Sequence, residues 1–368
     1  MKVLNIMTSG LRTEGIATTQ LVFMRRLDKS KIEMNIAAVH DNDPYVINEF
    51  KKIGCHVVIF PDRTQSTIRY FFALYNELKK EKYDIVHVHG SSALLAVDLM
   101  AAKLAGVPVR IAHSRNTRCN NGKIDRLLRP VFYMSYTDAM ACGEEAGKWL
   151  FGNREFKVMH NGKDFSDFCF SKKLRELERK QLGLDGKLVF GHVGRFNEQK
   201  NHKYLIDVFY RISQMRENAV LYLIGDGHLS AEIHKYVEEL GIEDKAIFAG
   251  SVLDVSHRLQ AMDFMIFPSL FEGLPNVVLE WQAEGLPCLI SDTITRECAP
   301  SNLVEFMSLE SSAQTWADKA LQMLDSYQNR EENAQRATTA LKKAGFDIEN
   351  NARELTAVYY KLLRKRNK

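Results

Sequence analysis

The stretch Phe264-Met-Ile-Phe-Pro-Ser-Leu-Phe-Glu-Gly-Leu-Pro-Asn-Val-Val-Leu-Glu280 joins an apolar run to a helix pattern, with a glutamate on either side of the junction. The run Phe264–Pro268 predicts a strand, and Pro275 suits the first turn of a helix because its missing N–H costs nothing there. Glu272 then lies in the approach loop, and Glu280 projects from the second helical turn. A helix N-terminus offers backbone N–H groups to an anion. The segment predicts carboxylates for sugar hydroxyls beside N–H groups for a phosphate.

A second loop, Gly194-Arg-Phe-Asn-Glu-Gln-Lys200, follows the apolar run Leu188–Val193 at another predicted strand-to-helix junction. Arg195 lies within this loop, and Lys200 lies at the start of the helix. Two cations at the carboxyl end of a strand can clamp a diphosphate leaving group. Such a clamp would neutralise the charge that a divalent metal neutralises elsewhere. The loop therefore predicts a phosphate site that needs no metal.

Short apolar runs alternate with amphipathic stretches around these loops. In the first half, the predicted strands are Val3–Met7, Glu33–Val39, Val57–Phe60, Ile85–Val88 and Val109–Ala112. A polar stretch, Asp164–Gly186, is interpreted as a connector. After it the predicted strands are Leu188–Val193, Val220–Ile224, Ala246–Ala249, Phe264–Pro268 and Cys288–Ser291. Repeated βαβ units predict an α/β fold with two doubly wound domains that face one another, and a ligand in the cleft outside the carboxyl ends of the strands.

Composition limits the class of protein. The 368 residues, 45% hydrophobic and 26% charged, suffice for two globular domains, and a net charge of +4 does not indicate nucleic-acid binding. Six cysteines form no CxxC pair and no zinc-spaced cluster, so we expect free thiols in a reducing cytoplasm. We expect no signal peptide, because the N-terminal residues run straight into a short strand, and no apolar run is long enough to span a bilayer.

Two segments are rich in basic residues. Arg115–Arg129 contains Arg115, Arg118, Lys123, Arg126 and Arg129, and the C-terminus contains Lys361, Arg364, Lys365, Arg366 and Lys368. Each segment alone favours a solvated helix face. The alternative is attraction to an anionic membrane, at about 1 kcal/mol per basic residue close to the lipid. Membrane contact, if present, would be peripheral at the inner face of the plasma membrane.

The pairing of G-R-x-x-x-x-K at 194–200 with E-G-x-P-x-x-x-x-E at 272–280 resembles the retaining glycosyltransferases of family 4, which have the GT-B fold. The resemblance covers the whole chain. It implies a first Rossmann-like domain on the acceptor side at residues 1–165 and a second that binds the nucleotide sugar at 166–346. Residues 347–368 would form a helix that crosses back to the first domain, with a basic tail. Leu355, Val358, Tyr359 and Leu362 share one face of this helix.

The resemblance also implies a role for each residue of the two motifs. Arg195 and Lys200 would bind the donor diphosphate. Glu272 would contact hydroxyls of the transferred sugar, and Glu280 would hold the ribose. The backbone cradle for sugar and phosphate would consist of Gly273, Leu274, Pro275, Asn276 and Val277. Further donor contacts are expected at Gly194, at Gly225, and at Ser251 and Val252 within the stretch 248–252 that would border the base.

In the first domain, His113 resembles the histidine that lies beside the reacting centre in this family. Gly15 resembles the glycine of an N-terminal loop that is usually a Gly-Gly pair, and Glu14 replaces the first glycine here. His87 and His89 share one face of a strand end, where they either line the cleft or pack inside. His160-Asn161-Gly162 is interpreted as a turn. Gly225-Asp-Gly227 forms either a turn or a backbone approach to the nucleotide.

Two other short patterns are not interpreted as sites. Asp41-Asn-Asp43 matches a metal-binding DxD pattern of another glycosyltransferase fold, but it is short and the rest of the chain lacks that fold's layout. The loop Gly10–Gly15 is not GxGxxG, so a dinucleotide cofactor is not expected. We therefore expect no cofactor and no metal.

The expected function is transfer of a sugar, hexosyl or N-acetylhexosaminyl, from a nucleotide donor, UDP-linked by preference, to a saccharide or lipid-linked saccharide during capsule or exopolysaccharide assembly. The resemblance implies front-face attack with retention, in which the leaving phosphate accepts the acceptor's proton. One alternative is a sugar-nucleotide epimerase or phosphorylase of the same fold. Another is a catalytically silent nucleotide-sugar-binding subunit of a polysaccharide complex.

Overall fold

The structure of the chain is a computed structural model that describes residues 1–13, 15–117, 119, 122–327 and 329–366. Glu14, Arg118 and Lys368, which the sequence interpretation uses, lie outside the described residues. The chain forms two compact units, Met1–Asp164 with Gly345–Lys368 and Phe165–Ala344. Each unit is built on one parallel sheet, which confirms the predicted α/β class with two doubly wound domains.

The first unit contains a seven-stranded parallel sheet of order β3-β2-β1-β4-β5-β6-β7. Its strands are β1 Lys2–Met7, β2 Glu33–Ala38, β3 His56–Ile59, β4 Ile85–Gly90, β5 Val109–Ser114, β6 Asp138–Ala141 and β7 Lys157–Val158. Its helices up to this point in the chain are α1 Ile16–Arg26, α2 Pro44–Lys52, α3 Thr67–Glu81, α4 Ala96–Ala105, α5 Gly122–Ser135 and α6 Glu144–Phe151. The strand order reverses between β1 and β4, so a ligand crevice is expected at the carboxyl ends of these two strands.

The second unit contains a six-stranded parallel sheet of order β10-β9-β8-β11-β12-β13. Its strands are β8 Leu188–Val193, β9 Ala219–Ile224, β10 Ala246–Gly250, β11 Phe264–Phe267, β12 Cys288–Ser291 and β13 Val304–Met307. Its helices are α7 Lys172–Gln181, α8 His202–Met215, α9 Ser230–Glu239, α10 Val255–Gln260, α11 Asn276–Ala283, α12 Ala313–Ser326 and α13 Arg330–Lys343. Here the order reverses between β8 and β11, the two strands that precede the predicted motifs.

The helix α14, Ile348–Arg366, returns to the first unit. Its buried face holds Ile348, Ala352, Leu355 and Tyr359, which belong to the same apolar core as residues of β1, α1 and α2. A second core on the opposite face of the sheet joins α3, α4 and α5 to the strands. The sheet is thus covered by helices on both faces, as its apolar strands require.

Several details differ from the sequence interpretation, which does not predict the strands β6, β7 and β13. The stretch Asp164–Gly186 is not only a connector, because it contains α7. The strand β5 extends to Ser114, so His113 lies within the strand instead of after it. All six cysteines are free thiols. Among the described residues, no helix combines the length and apolar character that crossing a membrane requires.

Candidate functional site

The loop after β8 is held against the loop after β9 by glycines. The backbone N–H of Gly194 donates to the carbonyl of Ile224, and that of Phe196 donates to the carbonyl of Asp226. Gly225 has φ +135°, and a Cβ added there would lie 2.0 Å from the carbonyl oxygen of Gly194. Only glycine fits this approach. Gly225 therefore fixes the position of the loop that begins at Gly194 and continues into Arg195.

The loop after β8 is also bonded to the loop after β11, across the point where the strand order reverses. The ammonium of Lys200 lies 2.7 Å from a carboxylate oxygen of Glu272. Gln199 accepts from the N–H of Leu270 and donates its side-chain amide to the carbonyl of Phe271. The structure therefore brings together the cation and the carboxylate that the two motifs predict, although they are far apart in the sequence.

Lys200 lies near an aromatic ring and two histidines that carry no charge at pH 7. Its ammonium lies 4.5 Å from the ring centre of Phe267. Burial, with the nearby charge of Lys200, lowers the pKa of His202 to about 4, and burial also lowers the pKa of His192. Both imidazoles are therefore neutral at pH 7. A phosphate placed here would meet the ammonium of Lys200, paired with Glu272, and two neutral imidazoles.

The helix α11 presents the second carboxylate of the motif. It begins at Asn276, with Pro275 at the N-cap position, one residue later than the sequence predicts. Glu280 lies in the second turn and is 9% exposed, and Leu274 is buried at 7%. Gly273, Asn276 and Val277 are partly exposed at the start of the helix. The first N–H groups of a helix have no partner within it, so this end can accept an anionic oxygen.

Three further predicted donor residues, Arg195, Ser251 and Val252, differ in their exposure to solvent. Arg195 and Ser251 are exposed, and Val252 is partly buried. Phe248, at the other end of the predicted base stretch, stacks on His234 with ring centres 3.6 Å apart. An exposed guanidinium in the loop after β8 suits phosphates, and a flat aromatic pair on β10 suits a planar base.

In the first unit, three histidines at the ends of β4 and β5 form a buried cluster. His87, His89 and His113 are at most 1% exposed. The Nε2 atom of His87 lies 2.9 Å from Nδ1 of His113, and Nδ1 of His87 lies 2.7 Å from the hydroxyl of Tyr359 in α14. Burial lowers the pKa of all three imidazoles well below the usual value, so they are neutral at pH 7. Both His87 and His89 pack inside the unit.

Arg115 is the functional candidate that sequence reasoning missed. The sequence places it in a basic run, but the structure bonds it inward, with Nη2 2.9 Å from Nδ1 of His89 and Nη1 2.6 Å from Oδ1 of Asn161. Residues 160–162 form no turn, so that prediction is wrong, and Asn161, at 7% exposed, instead belongs to this network. The signal was present in the H-x-H and H-x-R alternation at the ends of neighbouring parallel strands, whose carboxyl ends meet at one edge.

The other predicted residue of the first unit, Gly15, lies at the N-cap of α1 with φ +71°. Nothing lies within 4 Å of a Cβ added there, so the conformation, and not crowding, favours glycine. Its carbonyl accepts from the hydroxyls of Thr18 and Thr19. Gly15 therefore shapes the start of α1 in the first unit.

The histidine cluster is the group of described residues that could hold a metal ion, since one nitrogen from each ring lies within 4.8 Å of the others. In the present arrangement, however, His87 uses both ring nitrogens for hydrogen bonds. Arg115 also donates to Nδ1 of His89, which places a cation against the cluster. The donor set therefore suits a hydrogen-bonded chain better than a cation.

Comparison with known proteins gives matches over both units. Residues 175–340 match the family described as "Glycosyl transferases group 1", and residues 13–142 match "Glycosyltransferase Family 4". The chain is 32% identical over 374 residues to EpsF of Bacillus subtilis (strain 168), whose name describes it as a glycosyltransferase; the match covers 97% of this chain and 96% of that protein.

Two further similar proteins have names that specify a sugar nucleotide. An Escherichia coli protein named UDP-Gal:alpha-D-GlcNAc-diphosphoundecaprenol alpha-1,3-galactosyltransferase is 30% identical over 259 residues, which cover 65% of this chain and 67% of that protein. The crystal structure of Anabaena Alr3699/HepE in complex with UDP-glucose superposes with a TM-score of 0.82 at 18% identity, covering 98% of this chain and 100% of that chain. At this identity the structural match establishes the fold alone.

Proposed function

The chain belongs to the family 4 glycosyltransferases with the GT-B fold, and from this premise we propose that it transfers a sugar from a UDP-sugar to a lipid-linked saccharide with retention of anomeric configuration. The chain is a glycosyltransferase of cell-surface polysaccharide synthesis. The observation that carries the finer proposal is the Lys200–Glu272 pair at the point where the strand order of the second sheet reverses. A diphosphate and its sugar need this combination of a cation and a carboxylate.

The choice of donor and acceptor rests on chemistry and on the relatives. The name of the Escherichia coli relative specifies a UDP-linked galactose and a diphosphoundecaprenol-linked acceptor. The Anabaena structure contains UDP-glucose. In this chain the second unit offers an exposed Arg195, Lys200 and the start of α11 to a diphosphate. We assign the nucleotide sugar to the second unit and the acceptor to the first.

In the proposed reaction, the bond between the sugar C1 and the diphosphate oxygen breaks, and the acceptor oxygen bonds to C1 on the same face. The acceptor's proton passes to the leaving phosphate oxygen. Lys200 and Arg195 stabilise the negative charge that develops on that phosphate, and Glu272 orients hydroxyls of the sugar. Glu280 holds the ribose. We propose that these side chains perform the neutralisation without a metal ion.

The proposal is tested with purified Lys200→Ala and Glu272→Gln variants, by the rate of UDP release and of product formation with lipid-linked acceptors. A charge-assisted hydrogen bond contributes about 1.5–3 kcal/mol, so each variant should lose roughly 10- to 100-fold in rate. Lys203→Ala is the matched control, because Lys203 is an exposed lysine on α8 that pairs with Glu232. If both site variants transfer sugar as fast as the wild type, the proposed function is wrong.

The same assays separate the alternatives. A screen of UDP-, GDP- and ADP-sugars identifies the donor through binding and slow hydrolysis. An epimerase would change the donor sugar with no acceptor present. A silent binding subunit would bind UDP tightly and release none over a broad acceptor panel. Product with an inverted anomeric centre would contradict the retaining mechanism.

We also propose peripheral contact with an anionic membrane, and the structure changes where that contact would lie. Arg115 is bonded inward, and Arg129 pairs with Asp125, so the basic run 115–129 is not one exposed face. The exposed surface instead spans α3, α4 and α5, which pack side by side. In these helices the described exposed basic residues are Arg69, Lys79, Lys80, Lys103, Lys123 and Arg126.

The outer surface of α3–α5 also carries apolar side chains. Phe72 is 58% exposed, Leu127 76% and Met134 60%. None of the acidic residues within these three helices is exposed, since Asp98 and Asp125 are buried and Glu77 and Glu81 are partly covered. Exposed apolar groups among cations without anions are typical of a surface that rests on anionic lipid.

A further inference from the structure

Arg115 is a cation of the first unit for which the described residues supply no acidic partner. The acceptors of its hydrogen bonds are Nδ1 of His89 and Oδ1 of Asn161, both neutral. The electrostatic neighbours that favour its charged form are the thiol of Cys142 and the phenol of Tyr359, and burial raises the pKa of that phenol. Surrounding protein lowers the pKa of the guanidinium to about 10, so Arg115 remains charged at pH 7. A charge held in this way favours an anion beside it.

Arg115 retains hydrogen-bonding capacity. A guanidinium has five N–H groups, and Arg115 uses Nε, one N–H of Nη1 and one of Nη2 in the contacts with His89 and Asn161. Two N–H groups remain, one on each terminal nitrogen. The side chain is partly exposed, so these groups can be reached from solvent.

The hydrogen bonds of the cluster decide which ring nitrogens carry hydrogen. Arginine only donates, so Nδ1 of His89 is an acceptor and its Nε2–H donates to Oδ1 of Asn5. In a second series of hydrogen bonds, Tyr359 donates to Nδ1 of His87, and Nε2–H of His87 donates to Nδ1 of His113. The reverse direction would require an acceptor for the Tyr359 hydroxyl hydrogen, and the described contacts of Tyr359 provide none. His113 then carries its hydrogen on Nε2.

The Nε2–H of His113 is buried and has no partner among the described residues. An unmade hydrogen bond of this kind costs about 1–3 kcal/mol, which a ligand oxygen would recover. His113 and Arg115 alternate along β5 and its continuation, so they project from the same face of the sheet. Both contact His89, whose ring centre lies 5.1 Å from that of His113.

We propose that the first unit binds an anionic oxygen, of the phosphate or carboxylate class, through the guanidinium of Arg115 and the Nε2–H of His113, with Tyr359 and His87 as positioning residues that fix the hydrogen on Nε2. The binding groups that remain at this cluster are donors, and one is cationic, which matches an anion and rejects a cation. The anion is the acceptor's phosphate or the donor's diphosphate. The inference rests on the proposed function only for the source of that anion.

The test uses the full-length protein with ¹⁵N-labelled histidine and arginine and no substrate. Long-range ¹H–¹⁵N spectra should identify hydrogen on Nε2 in both His89 and His113. Titration with inorganic phosphate, at constant ionic strength set with chloride, should shift the His113 and Arg115 signals to saturation. Arg115→Gln should weaken phosphate binding by about tenfold or more.

The matched control is Arg126→Gln, which removes an exposed arginine of α5 and should leave the phosphate affinity unchanged. Arg115→Lys keeps the charge and serves if Arg115→Gln does not fold; it should retain weakened binding. Tyr359→Phe should allow hydrogen to move to Nδ1 of His113 and should also weaken phosphate binding. Hydrogen on Nδ1 of wild-type His113, no saturable shift, equal affinity in Arg115→Gln, or one bound zinc ion per chain would each overturn the proposal.

The source of the anion is decided by comparing inorganic pyrophosphate with UDP in the wild type and in Lys200→Ala. Equal effects of pyrophosphate in both proteins assign the site to the acceptor's phosphate. A UDP effect that Lys200→Ala abolishes assigns it to the donor. Phosphate binding without any sugar transfer would contradict the proposed function and leave the anion site intact, so the two failures are distinguishable.

Discussion

Gly225 brings the end of β9 against Gly194, the residue that precedes Arg195 in the loop after β8. Its φ of +135° is a conformation that side chains with a Cβ rarely adopt, and an added Cβ would lie 2.0 Å from a carbonyl oxygen of that loop. The position of Arg195 therefore depends on the absence of a side chain at Gly225. The dependence is on sterics and not on a contact with a ligand.

Gly225→Ala should displace the loop that begins at Gly194. We expect the free energy of unfolding to fall by more than about 2 kcal/mol and UDP affinity to fall by roughly tenfold, because Arg195 moves with the loop. Urea unfolding and calorimetric titration with UDP measure the two effects. Gly241→Ala is the control, since Gly241 has φ +65° but nothing lies within 4 Å of its added Cβ. If Gly225→Ala and Gly241→Ala cost the same stability and leave UDP affinity intact, the packing argument is wrong.

The two site motifs could be predicted from the sequence because each lies within one short segment. Glu272 and Glu280 share a loop and a helix start, and Lys200 follows Arg195 by five residues. The Lys200–Glu272 contact follows once the strand order places β8 beside β11. The histidine chain could not be predicted in this way, because His87 and Tyr359 lie 272 positions apart. Which of the many buried polar groups meet is decided by how α14 returns to the first unit.

At the scale of elements, the end of α11 is tied to two neighbouring helices by one buried carboxyl. Glu284, the residue after the helix, accepts from the side-chain amide of Gln260 in α10 at 2.6 Å, and its carboxylate lies 3.6 Å from Arg330 in α13. Glu284 is fully buried. Burial outweighs the attraction of Arg330 and raises the pKa of Glu284 to about 7.

Glu284 should make stability depend on pH. Between pH 4.5 and 7 the folded protein holds a proton on Glu284 that the unfolded chain releases, so the free energy of unfolding falls as pH rises through this range, by roughly 3 kcal/mol in total. Above pH 7 the contribution is lost, and below pH 4.5 it is fully present. Glu284→Gln keeps an amide acceptor for Gln260 and should remove this part of the pH dependence.

Urea unfolding of the wild type and Glu284→Gln at intervals from pH 4.5 to 8 gives the difference directly, since other titrating groups cancel. Glu297→Gln is a useful comparison because Glu297 lies in the same unit and is not fully buried. Parallel stability profiles for the wild type and Glu284→Gln would mean that Glu284 is ionised in the folded protein throughout.

Most elements could be predicted because apolar runs and their spacing mark strands and helices in an α/β fold. The prediction failed for α7, whose sequence Lys-Lys-Leu-Arg-Glu-Leu-Glu-Arg-Lys-Gln is almost entirely polar. Its one buried residue is Glu178, which pairs with Arg258 of α10. Arg175 and Arg179 of the same helix pair with Asp263. A helix that docks through ion pairs and backbone carbonyls leaves no apolar stripe for the sequence pattern to reveal.

At the scale of the whole molecule, the position of exposed apolar and basic groups is set by packing. The outer surface of α3–α5 in the first unit combines both types, as described for the proposed membrane contact. The basic run 115–129 alone does not predict which of its side chains are exposed. Packing decides that Arg115 is bonded inward and that Leu127 is exposed.

The wild-type protein should co-sediment with vesicles of phosphatidylglycerol and phosphatidylcholine, less with phosphatidylcholine alone, and less at 0.5 M salt, where charges are screened over about 4 Å. Leu127→Glu should reduce binding about tenfold or more, because it removes an exposed apolar group that would enter the lipid and adds a charge of the lipid's sign. Leu177→Glu is the control, an exposed leucine (51%) of α7 in the second unit. Equal binding by the wild type and Leu127→Glu would exclude this surface.

The first unit is discontinuous in the chain, because α14 supplies Ile348, Ala352, Leu355 and Tyr359 to its core. During translation, the ribosome makes these residues only after all of Phe165–Ala344, which takes on the order of tens of seconds at about 5–20 residues per second. Until then the nascent first unit has an open apolar slot and His87 lacks its tyrosine. The second unit can finish folding first, so a chaperone that recognises exposed apolar surface should engage the N-terminal half of the nascent chain and be released when α14 emerges.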